Sequence, residues 1–147
     1  MVEELSEISI VRRRPAVVIG VPVLARFDEL SELVPLAWAE AFRRFDGPLA
    51  EASTRVGDRY HEVVGLLGEV DAQVDGAVHA LVPAGEYATA THRGDRVSIA
   101  ESFGRIESWI AAQGREVGAG KLDVGYLRDG SERAHDLYVS IRPAHHG

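Results

Sequence analysis

A strand that leads through a glycine-containing loop directly into an amphipathic helix constrains the fold of this chain most strongly. The segment Leu81–Gly94, LVPAGEYATATHRG, begins as an apolar run, turns at Pro83–Gly85 and then alternates small and polar residues. From position 97 to 113 the apolar residues recur three to four positions apart, which is typical of a helix with one buried face. The residues at this spacing are Ile99, Phe103, Ile106 and Ile110. The sequence therefore predicts a strand through 85–92 and a helix over about 97–113 that ends at Gly114.

The first half of the chain shows the same order of elements. Ile8–Val23 alternates and then becomes rich in β-branched residues, which predicts a strand. The segment 31–45, SELVPLAWAEAFRRF, has helical apolar spacing. Ser31 is predicted as its N-cap, and Pro35 is then tolerated because it falls in the first turn.

The segments that follow each helix are less regular. Leu49–Gly57 is interpreted as a loop or a short irregular helix. Two strands are predicted around 60–67 and 70–81, with glycines at the turns. Two further strands are predicted around 121–129 and 134–143.

Each half is therefore predicted to run strand–helix–strand–strand, which indicates an internal duplication. We expect a single domain over 1–147, with pseudo-repeats at about 6–80 and 81–143. The strands would form one antiparallel sheet with both helices packed on the same side, an α+β arrangement.

Composition restricts the classes of partner. A formal net charge of −7 over 147 residues argues against a direct nucleic-acid-binding face and favours a cationic ligand over an anionic one. The absence of cysteine excludes disulfides and thiolate chemistry. No apolar run approaches the roughly 20 residues of a membrane span. The N-terminus is acidic and then basic, the reverse of a signal peptide, so we expect a cytoplasmic protein without membrane partners.

The sequence lacks the short motifs of common catalytic sites. It contains no HExxH, no phosphate-binding glycine loop and no nucleophilic serine elbow. Its histidines are scattered without metal-ligand spacing, so no metal and no cofactor is expected.

Aromatic and acidic side chains remain as candidates for a binding site. Aromatic residues are often simply core, but tryptophan and tyrosine carry a polar group that needs a partner and frequently line cavities. An acid that faces such a cavity would supply either the counter-charge for a flat cation or a general acid. The candidate ligand-binding residues are Trp38, Tyr60, Tyr87, Phe103, Glu107, Trp109, Tyr126 and Asp136.

The opening segment and the following helix resemble a known family. The shared pattern is an apolar residue, Pro-Ala-Gly, a tyrosine two residues later, a strand, a His-x-Gly loop, and a helix that closes with Trp-[Leu/Ile]-x-x-x-Gly. These positions are Val82, Pro83, Ala84, Gly85, Tyr87, His92, Gly94, Trp109, Ile110 and Gly114. With the later segments GYLRDG and HDLYVSIRP, they resemble the GyrI-like small-molecule-binding domain, which is also the effector domain of AraC- and MerR-class regulators. The first strand and helix are similar more loosely.

The resemblance implies two halves related by a pseudo-twofold axis, with a ligand cleft, an aromatic cage and commonly a buried glutamate between them. Many members carry that glutamate two residues before the tyrosine of GYLRDG, where this chain has Val124. The usual counter-charge is then absent unless the strand register slips, or unless Glu107 or Asp136 replaces it. This departure favours a neutral or mixed aromatic ligand. Gly130 replaces the turn proline of the family, which would only loosen a loop.

Three functions follow from the resemblance and stay open. The first is a stand-alone binding protein, without a helix-turn-helix, that senses or sequesters a hydrophobic aromatic or cationic xenobiotic. The second is a hydrolase of strained cyclopropane-bearing compounds that uses the same aromatic cage, with Glu107 as the candidate catalytic acid. The third is a protein-interaction module of the gyrase-inhibitor kind. Whether the chain is an enzyme, and whether it pairs with a partner protein or a second copy, is left open.

Overall fold

The computed structural model describes residues 4–143, in which nine antiparallel strands form one open sheet. The strands are β1 (Glu4–Leu5), β2 (Ser9–Arg13), β3 (Ala16–Arg26), β4 (Leu49–Val56), β5 (Arg59–Glu69), β6 (Val78–Val82), β7 (Gly85–Arg93), β8 (Val117–Tyr126) and β9 (Ala134–Ile141).

Two helices complete the fold, and each begins after a short 3-10 turn. Helix α1 (Leu30–Arg44) follows the turn Phe27–Glu29, and α2 (Ile99–Ala112) follows the turn Arg96–Ser98. Within the described part of the chain, neither helix is long and apolar enough to cross a membrane.

The order of the strands places the two halves side by side. The sheet runs β1-β7-β9-β8-β4-β5-β3-β6, with β2 also paired to β7. Helix α1 packs on β3 and β5, whereas α2 packs on β7, β9 and β8. The central strands β4 and β8 therefore lie where the strands covered by α1 meet the strands covered by α2. The predicted α+β fold, with two helices on one side of an antiparallel sheet, is confirmed.

The predicted helix ends have different outcomes. Gly114 has a φ of 74°, the left-handed conformation expected just after a helix, so this prediction is confirmed. The prediction of Ser31 as N-cap is wrong, because α1 begins one residue earlier and Glu29 holds that position. Pro35 is the sixth residue of α1 and lies beyond the first turn, where it lacks the N–H that an interior residue donates.

Two predictions for the segments after α1 are also wrong. The stretch expected to be a loop or irregular helix is strand β4. Its helix-facing positions include the polar Glu51 and Ser53, so the usual alternation of apolar and polar residues is hidden. The strand expected around 70–81 is limited to Val78–Val82, while β5 extends through Gly65 and Gly68 to Glu69.

Each face of the sheet carries a buried apolar cluster. We call the side covered by the helices the helix face and the opposite side the outer face. The helix-face cluster contains, among others, Val23, Ala37, Ala41, Leu49, Val64, Ile106, Ile110 and Leu137. The outer-face cluster contains Ala16, Val18, Ala50, Ala52, Val63, Val82, Tyr87 and Leu122.

Candidate functional site

Three carboxyl side chains lie next to one another in the middle of the helix face. Glu51 pairs directly with Asp123 across β4 and β8, and Glu62 on β5 lies two positions from the direct partner of Glu51. Glu62 is 7% exposed and Asp123 is 4% exposed, whereas Glu51 is partly buried. We call these three residues the acidic cluster. Carboxyl groups are rarely buried together without partners, so this cluster is the most unusual feature of the interior.

A bulge in β8 brings a tyrosine to the same face as this cluster. Leu49 pairs with Tyr126, but the next residue of β4 pairs with Val124, so Gly125 is the extra residue. Without this bulge, residues three apart in a strand would face opposite sides of the sheet. Tyr126 is instead oriented so that its hydroxyl donates a hydrogen bond to Asp123.

An aromatic wall from α1 stands against the acidic cluster. The indole Nε1–H of Trp38 donates to Oε1 of Glu51 at 3.0 Å. The centroid of the Trp38 ring lies 4.2 Å from that of Tyr126 and 5.1 Å from that of Phe42. Trp38, Phe42 and Tyr126 form a continuous set of ring faces beside the carboxyl groups, which we call the aromatic wall.

Helix α2 supplies the other side of the site. Glu107 lies 2.7 Å from the ammonium of Lys121, and both side chains are about one-third exposed. The Lys121 nitrogen is 5.4 Å from the centroid of the Phe103 ring, within cation–π distance. The positive charge of Lys121 is therefore already shared between a carboxylate and an aromatic face.

Burial changes the ionisation of the acidic cluster. It raises the pKa of Glu51 well above the ordinary value, and the nearby carboxylates of Glu62 and Asp123 add to the rise. Burial also raises the pKa of Glu62, although hydrogen bonds from Glu51 and Ser53 oppose it. The pKa of the Tyr126 hydroxyl is strongly raised by burial and by the Asp123 carboxylate, so this hydroxyl is a permanent donor at neutral pH.

A chain of ionisable side chains, His135, Glu132 and Arg96, continues from Asp123 towards the surface. Nδ1 of His135 lies 3.5 Å from Oδ1 of Asp123, and its Nε2 lies 3.1 Å from Oε2 of Glu132. Glu132 accepts a hydrogen bond from Arg96 at 2.8 Å. Burial acts to raise the pKa of Glu132, but hydrogen bonds from Arg96 and from the Leu127 N–H outweigh it and lower that pKa.

The buried carboxyl oxygens are not fully satisfied by their neighbours. Among residues 4–143, Oε2 of Glu62 and Oδ1 of Asp123 have no hydrogen-bond partner. A buried acceptor without a partner costs about 1–3 kcal/mol, more for a charged group. Such atoms beside an aromatic wall are suited to receive a positively charged ligand.

In the part of the chain that the structure describes, no group of three or more histidines and carboxylates is arranged to hold a metal ion.

Several solved structures match this architecture over nearly the whole chain. An integron cassette protein from the mobile metagenome of Vibrio cholerae has a TM-score of 0.70 at 10% identity, over 95% of this chain and 99% of its own. SAV2435, solved bound to tetraphenylphosphonium, has a TM-score of 0.70 at 9% identity, over 92% and 94% of the two chains. The C-terminal domain of EcmrR has a TM-score of 0.63 at 11% identity, over 94% and 98%. No family model and no curated protein matches the sequence.

The chain has the GyrI-like fold. At these identities the likeness is one of architecture, and the geometry of the site must come from the side chains of this chain itself.

The predicted site residues divide into two groups on this GyrI-like fold. Trp38 and Tyr126 lie together in the aromatic wall, and Phe103 and Glu107 lie beside Lys121 on the side of the site that α2 supplies. Tyr60 also comes from β5, where its ring packs 6.0 Å from that of Phe27, and no described contact joins it to the aromatic wall.

Three further predicted residues, besides Tyr60, lie outside this group. Tyr87 lies in the outer-face cluster, where its hydroxyl donates to the carbonyl of Pro83 at 2.7 Å. Asp136 is exposed on the outer face and accepts a hydrogen bond from Thr91. Trp109 comes two residues after Glu107, which turns it about 200° around the helix, away from the central strands.

The absence of a counter-charge at Val124 was expected unless the strand register slips, and the bulge in β8 is such a slip. Val124 packs against the outer-face cluster, and the adjacent Asp123 faces the helices. The sequence signal for this register was Gly125, whose φ of 123° marks the bulge. Glu51 and Glu62 were missed as site residues because β4 was interpreted as a loop, which hid their common face.

Proposed function

We propose that this protein binds a hydrophobic aromatic monocation on the helix face, where it would contact both the acidic cluster and the aromatic wall. The observation that carries the proposal is that two buried carboxylate oxygens, Oε2 of Glu62 and Oδ1 of Asp123, have no hydrogen-bond partner among residues 4–143. An aromatic monocation would offset one negative charge of this pair while its rings contact Trp38 and Tyr126. The attraction of a desolvated cation to an aromatic face is worth about 2 kcal/mol.

A structural neighbour supports this choice of ligand class. SAV2435 was solved with tetraphenylphosphonium, a cation whose charge is surrounded by aromatic rings. By analogy of fold, the biological role would be the sensing or sequestration of such compounds.

The second candidate, hydrolysis in the same site, receives no support from its proposed acid. Glu107 is ion-paired with Lys121 at 2.7 Å, and a partly exposed, paired carboxylate is poorly placed to deliver a proton. Chromatography of the recovered ligand after incubation would separate binding from turnover.

Isothermal titration calorimetry with two ions of the same shape tests the proposal. Tetraphenylphosphonium should bind, whereas tetraphenylborate, its anionic counterpart, should not. Glu62→Gln and Asp123→Asn should each weaken binding by about tenfold or more, because each removes a charge facing the ligand. Asp136→Asn, on the outer face, is the matched control and should bind as the wild type does. Equal binding of both ions, or equal losses in the site variants and the control, would contradict the proposal.

A further inference from the structure

We infer that the acidic cluster of the free protein holds one proton, shared between Glu51 and Glu62, and that a monocationic ligand enters in exchange for that proton. This inference rests on the proposed function and deepens it, because it assigns a resident occupant and an exchange stoichiometry to the same site.

The geometry of the cluster favours a shared proton. Glu51 lies between two other carboxyl groups, directly opposite Asp123 and diagonal to Glu62. Like charges at such cross-strand positions destabilise a sheet. Trp38 donates to one oxygen of Glu51, and Ser53 donates to one oxygen of Glu62 at 3.3 Å. From its diagonal position a protonated Glu51 can donate to the Glu62 carboxylate, whose Oε2 has no hydrogen-bond partner among the described residues.

The basic side chains around the pair already have other partners. Lys121 on β8 pairs with Glu107 of α2 at 2.7 Å, although its field also reaches Glu62. Arg96 pairs with Glu132, and His135 on β9 lies between Glu132 and Asp123. From α1 the contact is the neutral indole of Trp38. Within residues 4–143 the Glu51–Glu62 pair is therefore left without a cation of its own, which leaves a proton as the simplest compensation.

The ionisation behaviour of the pair agrees with this geometry. Burial raises the pKa of both Glu51 and Glu62, and the carboxylates of Glu62 and Asp123 add to the rise at Glu51. Because Glu51 has a carboxyl neighbour on either side, we assign the shared proton to it, with Glu62 as the acceptor.

The exchange balances charge and protons. On binding, the O–H bond of the Glu51 carboxyl breaks, its electron pair stays on the oxygen, and the proton passes to a buffer base. The ligand then supplies the positive charge that the proton had supplied. Affinity for a permanent cation should consequently rise with pH through the range in which Glu51 titrates.

The exchange can be counted directly with tetraphenylphosphonium, which has no titratable proton. Calorimetry at pH 7 in buffers of different ionisation enthalpy gives the number of protons released, and about one is expected for the wild type. Glu51→Gln keeps a donor and an acceptor at this position but has no proton to lose, so release should fall to near zero while binding persists. Asp136→Asn is the control and should release as many protons as the wild type.

The outcomes separate this inference from the proposed function. Binding by the wild type without proton release, or undiminished release by Glu51→Gln, would overturn the exchange while leaving the binding function intact. Absence of any binding would overturn both. In the free protein, carbon-13 NMR of the glutamate carboxyl carbons should show one resonance, absent from Glu51→Gln, that titrates well above the ordinary range. A Glu51 carboxyl that titrates normally would refute the resident proton without any ligand.

Discussion

Asp123 and Tyr126 lie on the same face of β8 and are joined by a hydrogen bond, although three positions separate them in the strand. Only the bulge at Gly125 permits this, because it shifts the pairing with β4 by one residue. The orientation of the counter-charge therefore depends on a single glycine that lies outside the acidic cluster.

Replacement of Gly125 by alanine should be costly. Gly125 has a φ of 123°, and an added Cβ would lie 2.9 Å from the carbonyl oxygen of Ala134. We expect Gly125→Ala to lower the free energy of unfolding by about 1–3 kcal/mol. Gly104→Ala is the matched control, since it lies in α2 with open space around it and should gain about 0.5–1 kcal/mol. Chemical denaturation measures both, and an unchanged stability in Gly125→Ala would contradict the assigned bulge.

The pH dependence of stability should identify Glu51 as a buried neutral acid. Its raised pKa means that the folded protein holds a proton that the unfolded chain releases above its ordinary value of about 4.3. The contribution of the protonated Glu51 carboxyl to stability is fully present below about pH 4.3. It is lost as the pH rises through the pKa that Glu51 has in the folded protein. Glu51→Gln should therefore be more stable than the wild type at pH 8, and the difference should shrink towards pH 4.

The contribution of Glu132 to stability depends on pH in the opposite direction to that of Glu51. Its pKa is lowered, so its contribution is present above about pH 4.3 and is lost only as the pH falls through the lowered value. Between pH 4 and 8 the difference in stability between the wild type and Glu51→Gln therefore reports on the carboxyl group at position 51 and not on Glu132. A Glu51→Gln variant whose advantage does not vary with pH would show that Glu51 is ionised in the folded protein.

How much of this site could be predicted depended on strand register. The amphipathic pattern of α2 and the motif from Val82 to Gly114 were sufficient for the fold, since both arise from local spacing. Trp38 and Tyr126 were also found as candidates, because their polar groups require partners. The residues of the acidic cluster were not predicted as candidates. A shift of one residue in register exchanges the two faces of a strand, and the bulge in β8 introduces such a shift.

The two tryptophans allow the ligand position to be measured by fluorescence. The chain contains only Trp38 and Trp109, and the second faces away from the central strands. In Trp109→Phe, tetraphenylphosphonium should change the emission of Trp38, because the ligand contacts the aromatic wall. In Trp38→Phe, the emission of Trp109 should stay unchanged. A response from Trp109 alone would place the ligand elsewhere on the molecule.

A comparison of positions 123 and 124 tests the assigned register most directly. If Val124 faced the ligand, as the resemblance to the family implies, Val124→Glu would restore the usual counter-charge and strengthen cation binding. In the structure Val124 packs with the outer-face cluster, so the introduced carboxylate would instead be placed among apolar side chains. We expect Val124→Glu to lose about 1–3 kcal/mol of stability without any gain in affinity for tetraphenylphosphonium.

Asp123→Asn should show the reverse behaviour. It keeps the size of the side chain and an acceptor for Tyr126, so the fold should persist, but it removes a charge that faces the site. Affinity for tetraphenylphosphonium should fall by about tenfold or more, which corresponds to about 1.4 kcal/mol or more. Calorimetric titration gives the affinity of each variant for tetraphenylphosphonium, and thermal denaturation gives the stability of each variant. Tighter binding by Val124→Glu together with unchanged binding by Asp123→Asn would mean that β8 presents its other face to the ligand.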